Sequence, residues 1–322
     1  MKAIRVHSFG GPEVLRYEDV ADPAPKPGEV VVKIDAAGLN FVDVYHRIGL
    51  YKVDLPLTLG QEAAGTIAAV GGDVRELKVG DRVAFASALG SDAQYQAVPG
   101  ERVVTLPTNV STKQGAAVML QGMTAHYLAS STYPLKPGDT CVVHAGAGGV
   151  GLLLTQIAKI RGARVLSTVS TEEKAALSRE AGADEVILYT KQDFEAEVKR
   201  LTDGKGVQVV YDSVGHTTFA KSLNCLMPRG MIVTFGQSSG PVGPVDPLVL
   251  SQKGSLFLTR PTLVHYSLRR DELLQRSSEL FEWLGSGRLR LRMELEFPLA
   301  KTAEAHRALE ARKTTGKVLL IP

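Results

Sequence analysis

The sequence predicts an α/β protein whose middle third forms a doubly wound parallel sheet and whose first third forms a compact, barrel-like β domain. From Thr140 to Thr259, short β-branched runs alternate with helical patterns, which is the order of a parallel sheet with helices on both faces. Before this segment, short strand-like runs are separated by turns rich in glycine and proline, as is typical of a small β domain.

The individual elements follow from these patterns. Strands of the first third are predicted at residues 1–7, 29–36, 65–70 and 82–86. Strands of the middle third are predicted at residues 140–144, 165–169, 185–188, 207–211, 231–235 and 256–259. The residues Ser170-Thr-Glu-Glu173 resemble a capping box that starts one intervening helix, which Gly182 ends.

The last segment breaks the alternation and is too short to form a domain of its own. It is predicted to contain helices at 271–284 and 301–312 and strands at 293–297 and 317–321. We expect it to return to the first domain. The predicted domains are therefore residues 1–122, completed by 262–322, and residues 123–261.

A glycine-rich turn follows the first strand of the alternating segment. Gly146, Gly148 and Gly151 have the spacing G-x-G-x-x-G, which suits a turn that approaches a pyrophosphate closely at a helix N-terminus. An apolar helical face comes directly after the turn, at Val150, Leu153, Leu154, Ile157 and Ala158. An ordinary tight turn is the alternative, but the order of strand, glycines and helix favours dinucleotide binding.

Composition excludes several classes of protein. The chain has 322 residues, a hydrophobic fraction of 44% and a net charge of +3, without a basic tail or polybasic patch. Arg288-Leu-Arg-Leu-Arg292 is the one local basic alternation, and we interpret it as a solvated strand edge. Cys141 and Cys225 lie in apolar stretches and are predicted to be buried thiols. No apolar signal core follows Met1, so we expect a cytoplasmic protein.

Several motifs along the chain resemble those of one enzyme superfamily. They are Met1-Lys-Ala-Ile, Gly38-Leu-Asn-Phe-Val-Asp43, Leu59-Gly-Gln-Glu-Ala-Ala-Gly65, Val79-Gly-Asp-Arg-Val83, Gly122-Met-Thr124, His144-Ala-Gly-Ala-Gly-Gly-Val-Gly151, Tyr211-Asp-Ser-Val-Gly215, Thr259-Arg-Pro261 and Thr315-Gly-Lys-Val318. The chain resembles the medium-chain dehydrogenase/reductase superfamily and, within it, the NADPH:quinone oxidoreductases, the group that includes zeta-crystallin. The resemblance implies a GroES-like catalytic domain and a Rossmann NADPH-binding domain.

The resemblance also points to an absent metal. Zinc alcohol dehydrogenases of this superfamily place a cysteine near Asn40 and a histidine at Gln61, and amide side chains are poor zinc ligands. No cysteine occurs between Ala84 and Asp92, where a structural zinc lobe is expected. We therefore predict no metal. Without a Lewis acid, the substrate must accept hydride readily, as quinones and conjugated enones do.

Cofactor choice rests on the predicted second strand of the sheet. Its end, Thr168-Val-Ser170, has no carboxylate to hold the ribose 2′-hydroxyl of NAD. Lys174 lies one helical turn beyond Ser170, so both can face one phosphate. Glu172 and Glu173 are expected to face solvent or to cap the helix. A solvated lysine is the alternative role of Lys174, but we predict NADPH.

The family resemblance implies further cofactor contacts. Tyr189 and Arg312 join Ser170 and Lys174 near the cofactor, and the pyrophosphate lies against Gly148, Gly149 and Val150. The remaining residues implied to line the cofactor groove or to lie near the nicotinamide are Ser213, Phe235, Gly236, Ser238, Thr124, Asn40, Tyr45 and Pro261.

For the reaction, a donor beside the quinone oxygen is needed to stabilise the charge that develops there. Family members place residues similar to Tyr45, Tyr51 and Arg260 near the pocket, and Asn40 and Asp43 are implied to shape it. A packed aromatic side chain with a satisfied hydroxyl is the alternative for each tyrosine.

The predicted function is zinc-independent quinone reduction by NADPH. The first alternative is an NADPH-dependent reductase of enone or alkenal double bonds, which shares every motif. The second is an RNA-binding or structural protein like zeta-crystallin, although 37 lysines and arginines against 34 acids give little basic surface. The apolar strand at 255–259 is the last of its predicted sheet, and family members pair this edge, so we expect a homodimer.

Overall fold

The computed structural model describes residues 1–322. Its strands, in chain order, are β1 (Lys2–Val6), β2 (Leu15–Asp19), β3 (Glu29–Leu39), β4 (Leu57–Thr58), β5 (Glu62–Val70), β6 (Arg82–Ala86), β7 (Tyr95–Pro99), β8 (Val104–Thr105), β9 (Thr140–His144), β10 (Arg164–Val169), β11 (Glu185–Leu188), β12 (Val207–Asp212), β13 (Leu226–Thr234), β14 (Phe257–Thr259), β15 (Leu295–Pro298) and β16 (Val318–Ile321). Its α-helices are α1 (Phe41–Arg47), α2 (Thr112–Tyr127), α3 (Gly149–Ile160), α4 (Glu172–Glu180), α5 (Phe194–Leu201), α6 (Phe219–Asn224), α7 (Leu248–Gln252), α8 (Leu263–Tyr266), α9 (Arg270–Gly285) and α10 (Thr302–Glu310).

The chain divides into two units, one of residues 1–123 with 266–322 and one of residues 124–265. The first unit holds a seven-stranded sheet in the order β15-β16-β3-β5-β6-β8, with β7 also paired to β3, and a three-stranded sheet in the order β2-β1-β4. The last strand of the chain, β16, pairs antiparallel with β3. Alternating apolar side chains from these strands, such as Val30, Val32 and Ile34 of β3, form the core of this unit.

The second unit holds a six-stranded sheet in the order β11-β10-β9-β12-β13-β14, with parallel pairing throughout. This order reverses between β9 and β12, which is the doubly wound arrangement that binds dinucleotides at the reversal. Helices cover the sheet, and its central strands are mostly buried apolar runs, such as Thr140–His144. The predicted α/β class, with a parallel sheet in one unit and a β-rich architecture in the other, is confirmed.

The helix after the glycine turn buries the predicted face. Leu153, Leu154, Ile157 and Ala158 of α3 are buried, and Val150 is half-buried. Their spacing places them on one side of the helix, toward the sheet, and this burial fixes where the N-terminus of α3 lies.

Several element boundaries differ from the sequence-based expectation. The capping residue of α4 is Thr171, not Ser170, because the Thr171 side chain accepts a hydrogen bond from Lys174 N. The strand predicted to end at Phe235 ends at Thr234, and the edge strand begins at Phe257. Ser255 has a left-handed φ of 57°, which a regular strand does not allow. Short edge strands β2, β4, β7 and β8 were not predicted.

The run from Arg288 to Arg292 is not a strand edge, since it lies in an irregular segment before β15. Arg288 is exposed, whereas Arg292 donates to Glu294 and, at 3.1 Å, to the Thr315 hydroxyl. The charge of Arg292 is therefore partly neutralised by Glu294. None of the helices has the length and apolar character needed to cross a lipid bilayer.

Candidate functional site: a dinucleotide groove and a metal-free polar cluster

The glycine turn between β9 and α3 is closely packed. A Cβ on Gly151 would overlap the Ala145 carbonyl oxygen and come within 2.8 Å of Gly146 Cα. A Cβ on Gly146 would overlap the Ser167 hydroxyl, so the buried serine beneath this position requires glycine here. Gly148 caps the helix in extended conformation, and the first N–H groups of α3 have no intrahelical partner. The turn fits a pyrophosphate.

The residues expected at the 2′-phosphate meet at the ends of β10 and β11. Tyr189 N donates to Val169 O over 3.1 Å, and the Thr190 hydroxyl donates to Ser170 O over 2.9 Å. Lys174 lies in the first turn of α4, just beyond Ser170. These contacts bring Ser170 and Tyr189 together at one edge of the sheet, Lys174 follows in α4, and Tyr189 is 42% exposed.

The acids beside this edge are engaged elsewhere. Glu172 accepts a hydrogen bond from Lys191 over 3.0 Å. A hydrogen bond from the Thr171 hydroxyl lowers the pKa of Glu173, consistent with a capping role. Neither carboxylate is the strand-end acid that holds the 2′-hydroxyl of NAD, so the edge fits NADPH better than NADH.

The loops after β12 and β13 lie side by side at the same end of the sheet. Ser238 N donates to Ser213 O over 3.1 Å, and Phe235 N donates to the Asp212 backbone oxygen over 2.9 Å. A Cβ on Gly236 would lie 2.7 Å from Ser213 O, so the two loops approach as closely as glycine permits. The structure thus brings Ser213, Phe235, Gly236 and Ser238 together.

Arg260 belongs to these loops in the structure. Its Nη1 donates to Gly236 O over 3.2 Å and to Thr234 O over 3.3 Å, and its Nη2 donates to Gln237 Oε1 over 3.2 Å. Pro261 follows it and is half-buried. Thr124, in α2, is the first residue of the same unit and is buried. Arg312, by contrast, lies after α10 in the other unit and is exposed.

In the first unit, Asn40 is the centre of a buried polar cluster. Its Nδ2 donates to Gly38 O over 2.8 Å and to Glu62 Oε2 over 2.9 Å. Its Oδ1 accepts from Gln121 Nε2 over 3.1 Å and from Lys317 Nζ over 3.0 Å. An amide has two N–H groups and two lone pairs. All are used, so the geometry favours a structural role for this side chain over direct donation to a ligand.

Lys317 and Glu62 form the ionic part of this cluster, which we call the Lys317 cluster. The ammonium pairs with Glu62 Oε2, and the two side chains are 2% and 0% exposed. A Cβ on Gly38 would come within 2.6 Å of Lys317 Cε, so glycine leaves room for the pair. A fixed cation therefore already balances this buried carboxylate.

The donors present here do not fit zinc. Asn40 and Gln61 carry amides, not the thiolate or imidazole that zinc prefers. The Gln61 amide is already used, because its Nε2 donates to His46 Nδ1 at 3.1 Å. Nowhere in the structure do three histidine, cysteine, aspartate or glutamate side chains form a group that could hold a metal. Cys141 and Cys225 are buried and unpaired, and burial raises the pKa of each thiol to about 12.

Asp43 and Tyr45 lie on α1, which begins directly after Asn40. Asp43 Oδ2 accepts from Asn40 N over 2.8 Å, so this carboxyl caps the helix, and burial raises its pKa well above the usual range. The Tyr45 ring contacts the edge of Tyr51 at 5.5 Å between centroids. Tyr45 is 9% exposed and Tyr51 is 38% exposed. The two tyrosines predicted to lie near the substrate therefore pack against each other.

A second ion pair, between buried Arg47 and partly exposed Glu310, fixes the other end of α1. Arg47 donates to Glu310 over 2.7 and 2.9 Å and to His306 Nδ1 over 2.8 Å, and its Nε donates to Gly10 O over 3.1 Å. Burial, together with the Arg47 charge, lowers the pKa of His306 to about 3. The histidine is therefore neutral, and its Nδ1 accepts the hydrogen bond from Arg47. The helix that carries Tyr45 is thus held at both ends.

Asp92 is a buried carboxyl that the sequence did not single out. It is 0% exposed, and neither of its carboxyl oxygens has a hydrogen-bond partner. Burial raises its pKa to about 7, although the Lys317 charge acts in the opposite direction. Asp92 in turn helps to raise the pKa of Asp43. The folded unit therefore keeps a proton here that the unfolded chain has lost.

Asp92→Asn is expected to stabilise the protein at pH 8 by about 2 to 4 kcal/mol and to change little at pH 4. Between 3.8, the ordinary value, and about 7, the folded state binds more protons than the unfolded state, so the unfolding free energy falls as pH rises. Asparagine removes this loss. Thermal unfolding at both pH values measures it, with exposed Asp54→Asn as control. A variant less stable than wild type at pH 8 contradicts the expectation.

Other buried polar residues to which the sequence assigned no role include Glu62, Lys317, Asp212 and Thr168. A charged side chain inside an apolar run is a signal of burial, and Asp212 follows Val-Val-Tyr in this way. Lys317 likewise adjoins an apolar run, Val-Leu-Leu-Ile, but its partner Glu62 is 255 residues away and has no local signal that joins the two.

Comparison with known proteins agrees with this geometry. Residues 26–136 match the family described as alcohol dehydrogenase GroES-like domain, and residues 149–283 match the family described as zinc-binding dehydrogenase. The chain is 47% identical to the quinone oxidoreductase of Pseudomonas aeruginosa, over 100% of this chain and 99% of that protein. It is 41% identical to a 2-haloacrylate reductase of Burkholderia sp., over 98% of each chain.

Among solved structures, Escherichia coli quinone oxidoreductase complexed with NADPH superposes with a TM-score of 0.98 at 43% identity, covering 100% of both chains. The match spans both units, and the glycine turn and the Lys317 cluster lie within it. The chain belongs to the quinone oxidoreductase family of the medium-chain dehydrogenase/reductase superfamily.

Proposed function

We propose that this protein reduces quinones with NADPH and without a metal ion. The observation that carries the proposal is identity of 47% and 44% over the full chain to two bacterial proteins named quinone oxidoreductase. The NADPH complex of the Escherichia coli protein supports the choice of cofactor. When bound, NADPH supplies the hydride, a chemistry that needs no Lewis acid if the acceptor is a quinone.

The side chains of this protein would bind and orient the cofactor. The glycine turn, with Gly148, Gly149 and Val150, holds the pyrophosphate, and Ser170, Lys174 and Tyr189 hold the 2′-phosphate. Ser213, Phe235, Gly236, Ser238 and Pro261 line the groove, with Thr124, Asn40 and Tyr45 near the nicotinamide and Arg312 near the cofactor. Asn40 fixes the start of α1 through its backbone N–H, which donates to Asp43 Oδ2, while its side-chain amide is fully hydrogen-bonded within the Lys317 cluster.

For the substrate, Tyr45, Tyr51 and Arg260 are the proposed donors to the quinone oxygen that gains negative charge. Asp43 shapes the site by capping α1.

Steady-state oxidation of NADPH by a small quinone tests the donors in the variants Tyr45→Phe, Tyr51→Phe and Arg260→Ala. Loss of a donor is expected to lower kcat about 10- to 100-fold. Exposed Tyr17→Phe is the control. Wild-type rates in all three variants remove these residues from the proposal.

A second candidate is reduction of a conjugated double bond. The observations that favour it are the 41% identity to a 2-haloacrylate reductase and a solved structure of a 2-haloacrylate reductase that superposes with a TM-score of 0.88. An enone or a haloacrylate accepts hydride at carbon, so the same donors would stabilise charge on its carbonyl or carboxylate oxygen. Side-by-side turnover of a quinone and an enone, at equal NADPH, decides between them by the ratio of kcat/KM.

We further propose a homodimer through the edge strand β14. Phe257 is 56% exposed and Leu258 is 36% exposed, and β14 pairs only with β13. An apolar, unpaired strand edge favours pairing with a second copy. Sedimentation is expected to give a dimer, and Leu258→Lys is expected to weaken its association at least about tenfold. Leu248→Lys, at an exposed leucine outside β14, is the control for adding a lysine to the surface. A wild-type monomer at micromolar concentration contradicts this proposal.

A further inference from the structure

A chain of buried hydrogen bonds runs beneath the dinucleotide end of the parallel sheet. His144, the last residue of β9, bonds through Nδ1 to the Thr168 hydroxyl at 2.8 Å and through Nε2 to the Ser222 hydroxyl at 2.9 Å. The Ser222 hydroxyl donates onward to Asp212 Oδ2 at 3.4 Å. Each of the four side chains is no more than 2% exposed. We call this series the His144 chain.

The carboxylate sets the direction of every bond in the chain. Asp212 only accepts, so Ser222 donates to it and must accept from His144 Nε2. The Nδ1 atom then has no proton and accepts from the Thr168 hydroxyl. Burial lowers the pKa of His144, which agrees with a neutral ring that donates on one side and accepts on the other.

Asp212 also fixes the loop after β12. Its Oδ1 accepts from Val214 N at 2.7 Å and Gly215 N at 3.0 Å, and its Oδ2 accepts from the Thr218 hydroxyl at 2.7 Å. The loop so held contains Ser213, whose carbonyl accepts from Ser238 N in the neighbouring loop at 3.1 Å. A single buried carboxylate therefore holds the first loop of the proposed groove, and Ser213 O links that loop to the second.

The three strands that the His144 chain joins carry three different parts of the proposed cofactor site. The pyrophosphate turn follows β9, Ser170 follows β10, and Ser213 follows β12. We infer that Asp212, Ser222, His144 and Thr168 are positioning residues for NADPH, which hold these three strand ends in the geometry that the dinucleotide needs. The inference rests on the proposed function, and none of the four side chains is placed in contact with the cofactor.

The experiment measures NADPH binding to the purified protein by calorimetry, together with kcat and KM for NADPH. Asp212→Ala is expected to raise the Kd about 10- to 100-fold, since two backbone N–H groups and two hydroxyls lose a charged acceptor. Ser222→Ala, which removes only the central link and keeps the loop bonds, is expected to raise the Kd about 3- to 10-fold. For both, kcat at saturating NADPH stays within about threefold of wild type.

Asp212→Asn is the conservative variant, which is expected to keep the NADPH affinity that Asp212→Ala loses. Its Oδ1 can still accept from Val214 N and Gly215 N, and the side-chain bonds can reverse as the proton of His144 moves to Nδ1. We expect a Kd within about threefold of wild type.

Tyr211→Phe is the matched control for a general loss of stability. Tyr211 lies next to Asp212 on β12, is fully buried, and donates to Leu128 O over 3.2 Å. Its loss is expected to lower the unfolding temperature but to change the Kd less than about twofold.

The inference is overturned if Ser222→Ala and Asp212→Ala bind NADPH as wild type does, or if Tyr211→Phe weakens binding as much as they do. Should Asp212→Ala fail to fold, Ser222→Ala decides alone. A wild-type protein that binds no NADPH refutes the proposed function instead, so the two failures are distinguishable.

Discussion

Lys317→Met is expected to lower the free energy of unfolding by about 3 to 5 kcal/mol. The ammonium is 2% exposed and Glu62 is 0% exposed, so the carboxylate would remain buried without its counter-ion. Glu62 would keep the N–H groups of Asn40 and Leu120 as donors, but these do not neutralise a full charge. Asn40 Oδ1 would also lose its donor Lys317. Chemical denaturation followed by circular dichroism measures the change.

The second substitution in this test is Glu62→Gln. Combined with Lys317→Met, it removes the uncompensated charge, so the double variant is expected to recover about half or more of the lost stability. The exposed pair of Lys301 and Glu304, with side chains 57% and 52% exposed, gives the control. Lys301→Met is expected to change stability by less than about 0.5 kcal/mol. If Lys317→Met is no more harmful than Lys301→Met, the Lys317 cluster does not have the role assigned to it.

Ser170→Asp combined with Lys174→Ala is expected to reduce the preference for NADPH over NADH about 100- to 1000-fold, measured as the ratio of kcat/KM values. Two donors to the 2′-phosphate are lost, each a charge-assisted or polar contact worth about 1 to 3 kcal/mol. A carboxylate at the end of β10 repels the phosphate and accepts from the 2′-hydroxyl of NADH. Both effects change the ratio in the same direction.

Lys191→Ala is the matched control for this change of charge. Lys191 lies in the neighbouring loop and pairs with Glu172 over 3.0 Å, and no role at the phosphate is proposed for it. We expect its cofactor preference to stay within about threefold of wild type. Equal loss of preference in Lys191→Ala and in the double variant would indicate a diffuse field rather than a site at Ser170, Lys174 and Tyr189.

The fold was predictable where local patterns were strong. The strands at Thr140–His144, Glu185–Leu188 and Arg82–Ala86 have the predicted bounds, because each is a short β-branched or apolar run between turn residues. The short strands Leu57–Thr58 and Val104–Thr105 were missed. A two-residue strand has no periodicity, and only its pairing partner defines it.

The site was predictable only in part. The glycine spacing and the missing acid after β10 can be read along the chain, because they concern neighbouring residues. Asn40 was predicted to lie near the nicotinamide, but three of the four hydrogen bonds of its side chain involve Glu62, Gln121 and Lys317, which are far apart in sequence. The same holds for Asp212 and His144, which are joined through Ser222. Contacts of this kind follow from the tertiary fold, not from local pattern.

The most direct test is NADPH oxidation by a small benzoquinone, catalysed by protein that has been dialysed against a strong chelator and analysed for metal. Because Asn40 and Gln61 provide no zinc ligands and Lys317 already balances Glu62, we expect the chelated protein to retain its full kcat with NADPH. Activity that disappears with the chelator and returns with stoichiometric Zn²⁺ would contradict metal-free quinone reduction.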